Sequence, residues 1–257
     1  MTVATIAQAL RDAERNGKPI DPIRDLIANA EDAYAIQETN TNIRLDNGGR
    51  LVGRKIGLTN PAVQKQLGVD QPDYGMLFAD MDVPHGDVIP WSAGAQFKAE
   101  AELAFVIGRD LTAPDCTMTE VMRAVEYVVP SIEIVGSRIA NWDIRFVDTV
   151  ADNASSAFFT LGPSARLLKD AELLNCTMET KQDGDVVSKG SGRACLGSPL
   201  NAVLWLARVM AVSGRPLSEG DVVLSGALGP MVAATPGARF IANIEGFGET
   251  AIEFGEE

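Results

Sequence analysis

The segment Lys98-Ala-Glu-Ala-Glu-Leu-Ala-Phe-Val-Ile107 is apolar enough to be a core β-strand, yet it carries two acids. Strand side chains alternate between faces, so Glu100, Glu102, Ala104 and Val106 share one side while Ala101, Leu103, Phe105 and Ile107 share the other. Both carboxylates then point the same way, about 7 Å apart. Like charges at that spacing repel in a poorly solvated site, and an ionised carboxylate buried without a partner is among the costliest groups a fold can hold. Two arrangements satisfy the segment: a cation between the acids, or a strand with one wet face.

The surrounding texture is that of a β-rich body. From Leu51 onward, short apolar runs punctuated by Gly and Pro predict strands at 51–58, 100–107, 127–135, 156–161, 174–181, 221–226, 238–245 and 249–254. Asp183-Gly184 between alternating segments is a two-residue hairpin signal. The N-terminal part reads differently. Ile6, Ala9, Leu10 and Ala13 stand at helical spacing ahead of Gly17, and a second helical run is capped by Asn29, favoured by Asp32 and stopped near Asn47-Gly48-Gly49. Within the body, Thr117 and Glu120 form a capping box that opens a helix over 118–126. Ser198-Pro199 opens another that runs to about Val212 and is closed by Gly214. The expected class is α+β, with an N-terminal helical layer over 1–50 joined to a β-rich body over 51–257 as one structural unit.

Charge and residue usage narrow the function. A net charge of −13 argues against a nucleic-acid surface or an anionic membrane as partner, and an anionic small-molecule substrate would need a local cation. Cys116, Cys176 and Cys195 are widely spaced and odd in number, which suggests neither a disulfide framework nor a zinc knuckle and fits a reducing cytoplasm. The first residues carry no apolar signal core, and no run of eighteen apolar residues follows, so neither export nor a membrane span is expected. The single histidine, His85, lies in the apparent turn Val-Pro-His-Gly-Asp and reads as a turn residue. Nucleotide fingerprints are absent. The loop Leu224-Ser-Gly-Ala-Leu-Gly-Pro230 follows a strand, and its backbone N–H groups either face an anion or simply make a turn.

A third acid, Glu133, sits between Ile132 and Ile134 in an apolar strand and needs a cationic partner; Arg138 is one possibility. If Glu133 instead faces Glu100 and Glu102, three oxygen donors without imidazole or thiolate define a hard-cation site for Mg²⁺ or Mn²⁺, with positions left for water or substrate. Lys55 alternates with Arg54 on a strand, so one of the two must face opposite to the other. The inward one would serve as acid/base or charge partner near the metal; otherwise Lys55 is a surface lysine on a strand.

Seven segments then carry a resemblance: Gly53-Arg-Lys-Ile-Gly-Leu-Thr59, Leu67-Gly-Val-Asp-Gln-Pro-Asp-Tyr-Gly75, Leu77-Phe-Ala-Asp-Met81, Glu100-Ala-Glu102, Pro130-Ser-Ile-Glu-Ile-Val-Gly-Ser-Arg138, Phe146-Val-Asp-Thr-Val-Ala-Asp-Asn153 and Leu224-Ser-Gly-Ala-Leu-Gly-Pro-Met231. In order and through nearly the whole chain, they resemble the bacterial 2-keto-4-pentenoate hydratases, of the hydratase/decarboxylase branch of the fumarylacetoacetate hydrolase superfamily. The resemblance implies a mixed β-roll with flanking helices and a divalent metal, Mg²⁺ or Mn²⁺, held by Glu100, Glu102 and Glu133. It also implies an acid/base lysine at Lys55 and a loop aspartate at Asp73, a residue that a plain turn would equally explain, with Leu77, Ser225 and Gly226 against the substrate.

The implied reaction is hydration of 2-hydroxypenta-2,4-dienoate to 4-hydroxy-2-oxopentanoate in the breakdown of aromatic compounds. The implied assembly is a homo-oligomer that can associate with neighbouring pathway enzymes. Alternatives within the branch are 4-oxalocrotonate decarboxylation and hydration of longer dienoates; outside it, the chain would be a non-catalytic partner subunit.

Overall fold

The computed structural model describes residues 2–60, 64 and 69–257, so Leu67 and Gly68 of the Leu67–Gly75 segment lie outside the described residues. Two helices open the chain, α1 (Val3–Asn16) and α2 (Ala30–Asp46). Thr2 caps the first by accepting from the Thr5 N–H, and Gly17 ends it in the left-handed conformation at φ 61°. Asn29 caps the second by accepting the Asp32 N–H at 2.9 Å. Ile6, Ala7, Leu10, Ala33 and Ile36 pack with Ile139, Val150 and Ala151 of the body into a small core of their own. Gln37, buried on α2, crosses into the body, where its Nε2 donates to the carbonyls of Tyr74 and Val150, each at 2.9 Å.

The body is built on two mixed sheets. The strands are β1 (Leu51–Gly57), β2 (Asp73–Phe78), β3 (Val88–Ile89), β4 (Phe97–Ile107), β5 (Val125–Gly136) and β6 (Ser156–Leu161), then β7 (Thr177–Gln182), β8 (Asp185–Ser191), β9 (Val222–Leu224), β10 (Val232–Ala233), β11 (Arg239–Ile244) and β12 (Gly248–Phe254). One sheet runs β2-β1-β9-β4-β5-β6 with β10 on β4; the other runs β3-β12-β11-β7-β8. Between them lies an aromatic core in which Phe254 meets Phe97 at 5.4 Å, Trp91 at 5.7 Å and Phe240 at 6.1 Å between ring centroids. Phe97 starts β4, so the strand that carries the two acids is fixed at its first residue by this cluster.

Among the described residues the body also carries the α-helices α3 (Met118–Ala124), α4 (Phe146–Ala151) and α5 (Pro199–Val212). The Thr117–Glu120 capping box forms as the spacing predicts, but α3 ends two residues early because Val125 already begins β5. Pro199 occupies the first turn of α5, while Ser198 makes no side-chain capping bond. The stretch Gly192–Val212 has the length and mean hydropathy, 1.4, of a membrane span. Its α-helix covers only Pro199–Val212, however, and buries Ala202, Val203, Leu206, Ala207 and Met210 along one stripe. Asp183 and Gly184 adopt φ 53° and 96°, as a two-residue hairpin turn between β7 and β8 requires.

Four elements lie outside the sequence expectation: β2, the two-residue strands β3 and β10, and α4. Asp73–Phe78 forms a full strand against β1 where Asp and Gly suggest a turn, because the ladder Lys55↔Gly75, Gly57↔Asp73 outweighs local preference. α4 is only six residues long and is stabilised by Asp148, whose Oδ2 accepts the Arg145 N–H at 2.8 Å.

Candidate metal and acid/base site

The register of β4 on β5 decides what happens to the acids. The two strands are antiparallel with Glu100 opposite Glu133 and Glu102 opposite Ser131, so all three glutamates emerge on one face of the sheet. One carboxylate oxygen from each lies within 4.8 Å of the others. Glu102 and Glu133 are buried and Glu100 is partly exposed, so the wet-strand alternative does not describe this face.

The same face continues across the sheet. Ala104 pairs with Leu224 and Leu224 with Lys55, which places the lysine on the glutamate side. Lys55 Nζ lies 3.0 Å from Glu133 Oε1, both side chains almost fully buried. Arg54 faces the other way and pairs with Asp221 at 3.1 Å. Arg138 does not meet Glu133; its Nε binds Asp152 at 2.5 Å instead. One strand further, Asp73 and Leu77 lie opposite Gly57 and Gly53, two residues to either side of the Lys55–Gly75 pair, and so share the lysine's face. A Cβ at Gly57 would lie 2.1 Å from Asp73 Oδ1, so the absence of a side chain there is what lets the aspartate fold back over β1.

The loop after β9 faces a carboxyl group belonging to the protein itself. The Gly226 N–H donates to Glu102 Oε2 at 2.8 Å. Gly226 holds φ 101° and a Cβ there would lie 2.3 Å from Thr59 Oγ1, so both conformation and space require glycine. The Ser225 hydroxyl, fully buried, donates to the Gly226 carbonyl at 3.3 Å, and Cys195 Sγ donates to the Ser225 carbonyl at 2.8 Å. His85 lies in an exposed turn, where its Nδ1 accepts the Ala251 N–H at 3.1 Å.

Electrostatics show a site with too much negative charge for its burial. Burial and the neighbouring Glu133 push the Glu100 carboxyl up to about 7; burial, Glu133 and Glu100 hold Glu102 well above the carboxylate range. Burial raises Glu133 too, against the opposing pull of Lys55 and the Ser156 hydroxyl. Asp73 is pushed up to about 6 by burial, with Lys55 opposing and Glu133 reinforcing. For Lys55, burial works to lower the value, but Glu133, Asp73, Glu100 and Glu102 outweigh it and the ammonium is held charged. Four carboxyls thus act on the buried Lys55 ammonium.

The donor set fits a hard divalent cation. Oε1 of Glu102 is buried without a hydrogen-bond partner and Oε1 of Glu133 has only the Lys55 ion pair, leaving carboxylate lone pairs that a cation or a proton would satisfy. All three donors are carboxylate oxygens, the ligand type of Mg²⁺, Mn²⁺ and Ca²⁺. Two residues near the site carry no distinctive sequence signal: Ser156 beside Glu133, and Phe159, which lies opposite Glu133 across β5 and β6. Only the ladder register exposes them.

Residues 50–254 match the family model described as Fumarylacetoacetate (FAA) hydrolase C-terminal. The chain is 56% identical over 256 residues to 2-keto-4-pentenoate hydratase 2 of Dechloromonas aromatica (strain RCB), covering 99% of this chain and 98% of the relative. It is 53% identical over 257 residues to 2-keto-4-pentenoate hydratase of Burkholderia vietnamiensis (strain G4 / LMG 22486), with 99% and 98% covered. Among solved structures, 4-oxalocrotonate decarboxylase from Pseudomonas putida G7, complexed with magnesium and adipate, superimposes with a TM-score of 0.94 at 32% identity, over 98% of this chain and 97% of that one.

Proposed function

The chain belongs to the fumarylacetoacetate hydrolase family, and we propose that within it the protein is a metal-dependent hydratase that adds water to 2-hydroxypenta-2,4-dienoate to give 4-hydroxy-2-oxopentanoate. The observation that carries this reading is the convergence of Glu100, Glu102 and Glu133 on one face with Lys55 3.0 Å from Glu133. Full-length similarity above 50% to two hydratases of that name supports the substrate.

Glu100, Glu102 and Glu133 would hold a divalent cation, Mg²⁺ or Mn²⁺, through oxygen donors. When bound, the ion supplies Lewis-acid polarisation at the substrate's carboxylate and C2 oxygen. Gly226 keeps Glu102 aimed at the site through its N–H, and Cys195 and Ser225 brace the loop from below.

The proton transfers fall to Lys55 and Asp73. Loss of the C2 hydroxyl proton and protonation of C5 convert the dienol to a 2-oxo-3-enoate, water adds at C4, and a proton delivered to C3 completes the product. Asp73, with its carboxyl near 6, is suited to take up and return a proton close to neutrality. Lys55, held charged, is suited to donate one and to stabilise negative charge developing at the C2 oxygen. Leu77, on the face shared with Asp73 and Lys55, would wall the hydrocarbon end of the substrate.

The reading extends to setting and assembly. Three buried free thiols are compatible with a reducing cytoplasm, and the family resemblance supports a homo-oligomer in which the helices of 1–50 and the body of 51–257 act as one unit.

The test is turnover by the isolated chain. Incubation with the dienoate and Mg²⁺ or Mn²⁺ should consume the conjugated absorbance and yield 4-hydroxy-2-oxopentanoate. Release of CO₂ from 4-oxalocrotonate would assign the decarboxylase reaction instead, and no turnover without a second protein would make the chain a partner subunit.

A further inference from the structure

The chain segment between α4 and β6 is strained for no evident local reason. Asn153, Ala154 and Ser155 adopt φ 53°, 51° and 56° in succession, a left-handed turn without a glycine. Each such residue costs about 1–2 kcal/mol, so a run of three persists only where its surroundings hold it. They do so from two sides. Arg138, two residues past β5, donates from Nε to Asp152 Oδ1 at 2.5 Å, from Nη1 to the carbonyls of Gly136 and Ser156 at 2.8 Å each, and from Nη2 to the Asp152 carbonyl. On the other side the Asn153 carboxamide lies against β2, accepting the Met76 N–H at 2.7 Å and donating to the Met76 carbonyl at 3.0 Å.

That pair of bonds is what a neighbouring strand would make. β2 and β6 are the two ends of the larger sheet, and the sheet curls until they meet: a Cβ at Gly75 would lie 2.3 Å from the Asn153 carbonyl and 2.7 Å from Ser156 Oγ. No ladder joins the two strands, and the Asn153 side chain supplies the missing rung. The bridge has a consequence for the site. β5 carries Glu133 and β2 carries Asp73, and the left-handed turn ties the end of the first to the middle of the second.

We propose that Asn153 is a positioning residue: its two hydrogen bonds to Met76 fix β2, and with it Asp73, at working distance from the glutamates and Lys55. The proposal rests on the reading of Asp73 as a proton-transfer group. Asn153 touches neither Lys55 nor the glutamates by any hydrogen bond, so its loss should disturb proton transfer and spare metal binding.

Asn153→Gly tests this, since glycine keeps the left-handed conformation and removes the carboxamide. The expected result is a fall in kcat of about 10²-fold, with the Mg²⁺ affinity of the substrate-free protein, read by calorimetry, changed by less than about threefold. In the double variant with Asp73→Asn, the combined loss should not exceed that of Asp73→Asn alone. If Asn153→Gly fails to fold, Asn153→Asp, which tolerates the same conformation and keeps only the Met76 N–H bond, is held to the same criteria. A kcat within about twofold of wild type, an equal loss of Mg²⁺ affinity, or losses that multiply would each overturn the proposal. Full activity of Asp73→Asn would remove Asp73 from the mechanism and the positioning role with it, whereas an inactive Asp73→Asn beside a normal Asn153→Gly would overturn the positioning role alone.

Discussion

Lys55 Nζ and Glu133 Oε1 stand 3.0 Å apart with both side chains buried, while Lys98, half-buried on the same face of β4, acts on Glu100 from the edge of the cluster. A buried ion pair broken on one side leaves the other charge stranded, at a cost of about 3–5 kcal/mol. Lys55→Met should therefore destabilise the metal-free protein at pH 8 by about 3 kcal/mol, and added Mg²⁺ should recover most of that. Thermal unfolding with and without the ion measures it. Turnover by the metal-loaded variant should still fall by about 10²- to 10⁴-fold, because the proposed acid/base group is gone.

Metal binding should strengthen as pH rises. Glu100 reaches about 7 and Asp73 about 6 in the metal-free fold, above their usual values of 4.5 and 3.8. Between those usual values and about 7 the folded state holds protons that the unfolded chain has released. The stability of the metal-free protein then falls as pH climbs through that window. A cation must displace the protons held by Glu100 and Glu102 below pH 7, so its affinity should drop by about tenfold or more per pH unit as pH is lowered from 7 to 5. Calorimetric titration of Mg²⁺ at pH 5.5, 6.5 and 7.5 checks the slope; an affinity independent of pH would contradict it.

Two glycines on β1 should respond differently to the same substitution. A Cβ at Gly53 would lie 2.0 Å from the Val222 carbonyl, which is backbone and cannot yield, so Gly53→Ala should cost about 3 kcal/mol of stability by denaturant unfolding. A Cβ at Gly57 meets the Asp73 carboxylate, the free end of a side chain. Gly57→Ala should leave stability within about 1 kcal/mol and lower kcat by about 10²-fold through displacement of Asp73.

Asp152 holds the chain behind the site, accepting from the Arg138 N–H at 3.0 Å and from Arg138 Nε. Burial pushes its carboxyl up to about 6 even with Arg138 beside it. Asp152→Asn turns one acceptor toward these donors into a donor and should destabilise the fold by about 3 kcal/mol at pH 7. The penalty should shrink as pH falls below 6, since the wild-type carboxyl is then neutral as well. Paired urea titrations at pH 5 and 7 measure this difference.

Much of the arrangement is legible before any coordinates. Alternation alone puts Glu100 and Glu102 on one face, and the capping signals at Asn29, Thr117 and Pro199 locate three helices to within a residue at their starts. What alternation cannot give is register. Whether Glu133 faces the other acids depends on the Glu100↔Glu133 pairing, and whether Lys55 or Arg54 points inward depends on a short parallel contact with Leu224, more than 160 residues away in the chain. β2 is hidden because Gly75 reads as a turn residue, although it is a glycine that makes room for the Asn153 carbonyl. The left-handed run at Asn153–Ser155 is invisible for the opposite reason: Ala and Ser give no hint of positive φ. Of the two possibilities for Glu133, the Arg138 pair does not form because Arg138 is drawn to Asp152, a partner that only the turn brings close.

The central claim is that the three glutamates hold a divalent ion on which hydration depends. Protein stripped with chelator should not hydrate 2-hydroxypenta-2,4-dienoate, and stepwise addition of Mg²⁺ or Mn²⁺ should restore turnover, saturating at one ion per chain in wild type and restoring none in Glu102→Gln. Hydration at the full rate by the stripped wild-type protein, with chelator still present, would contradict the account.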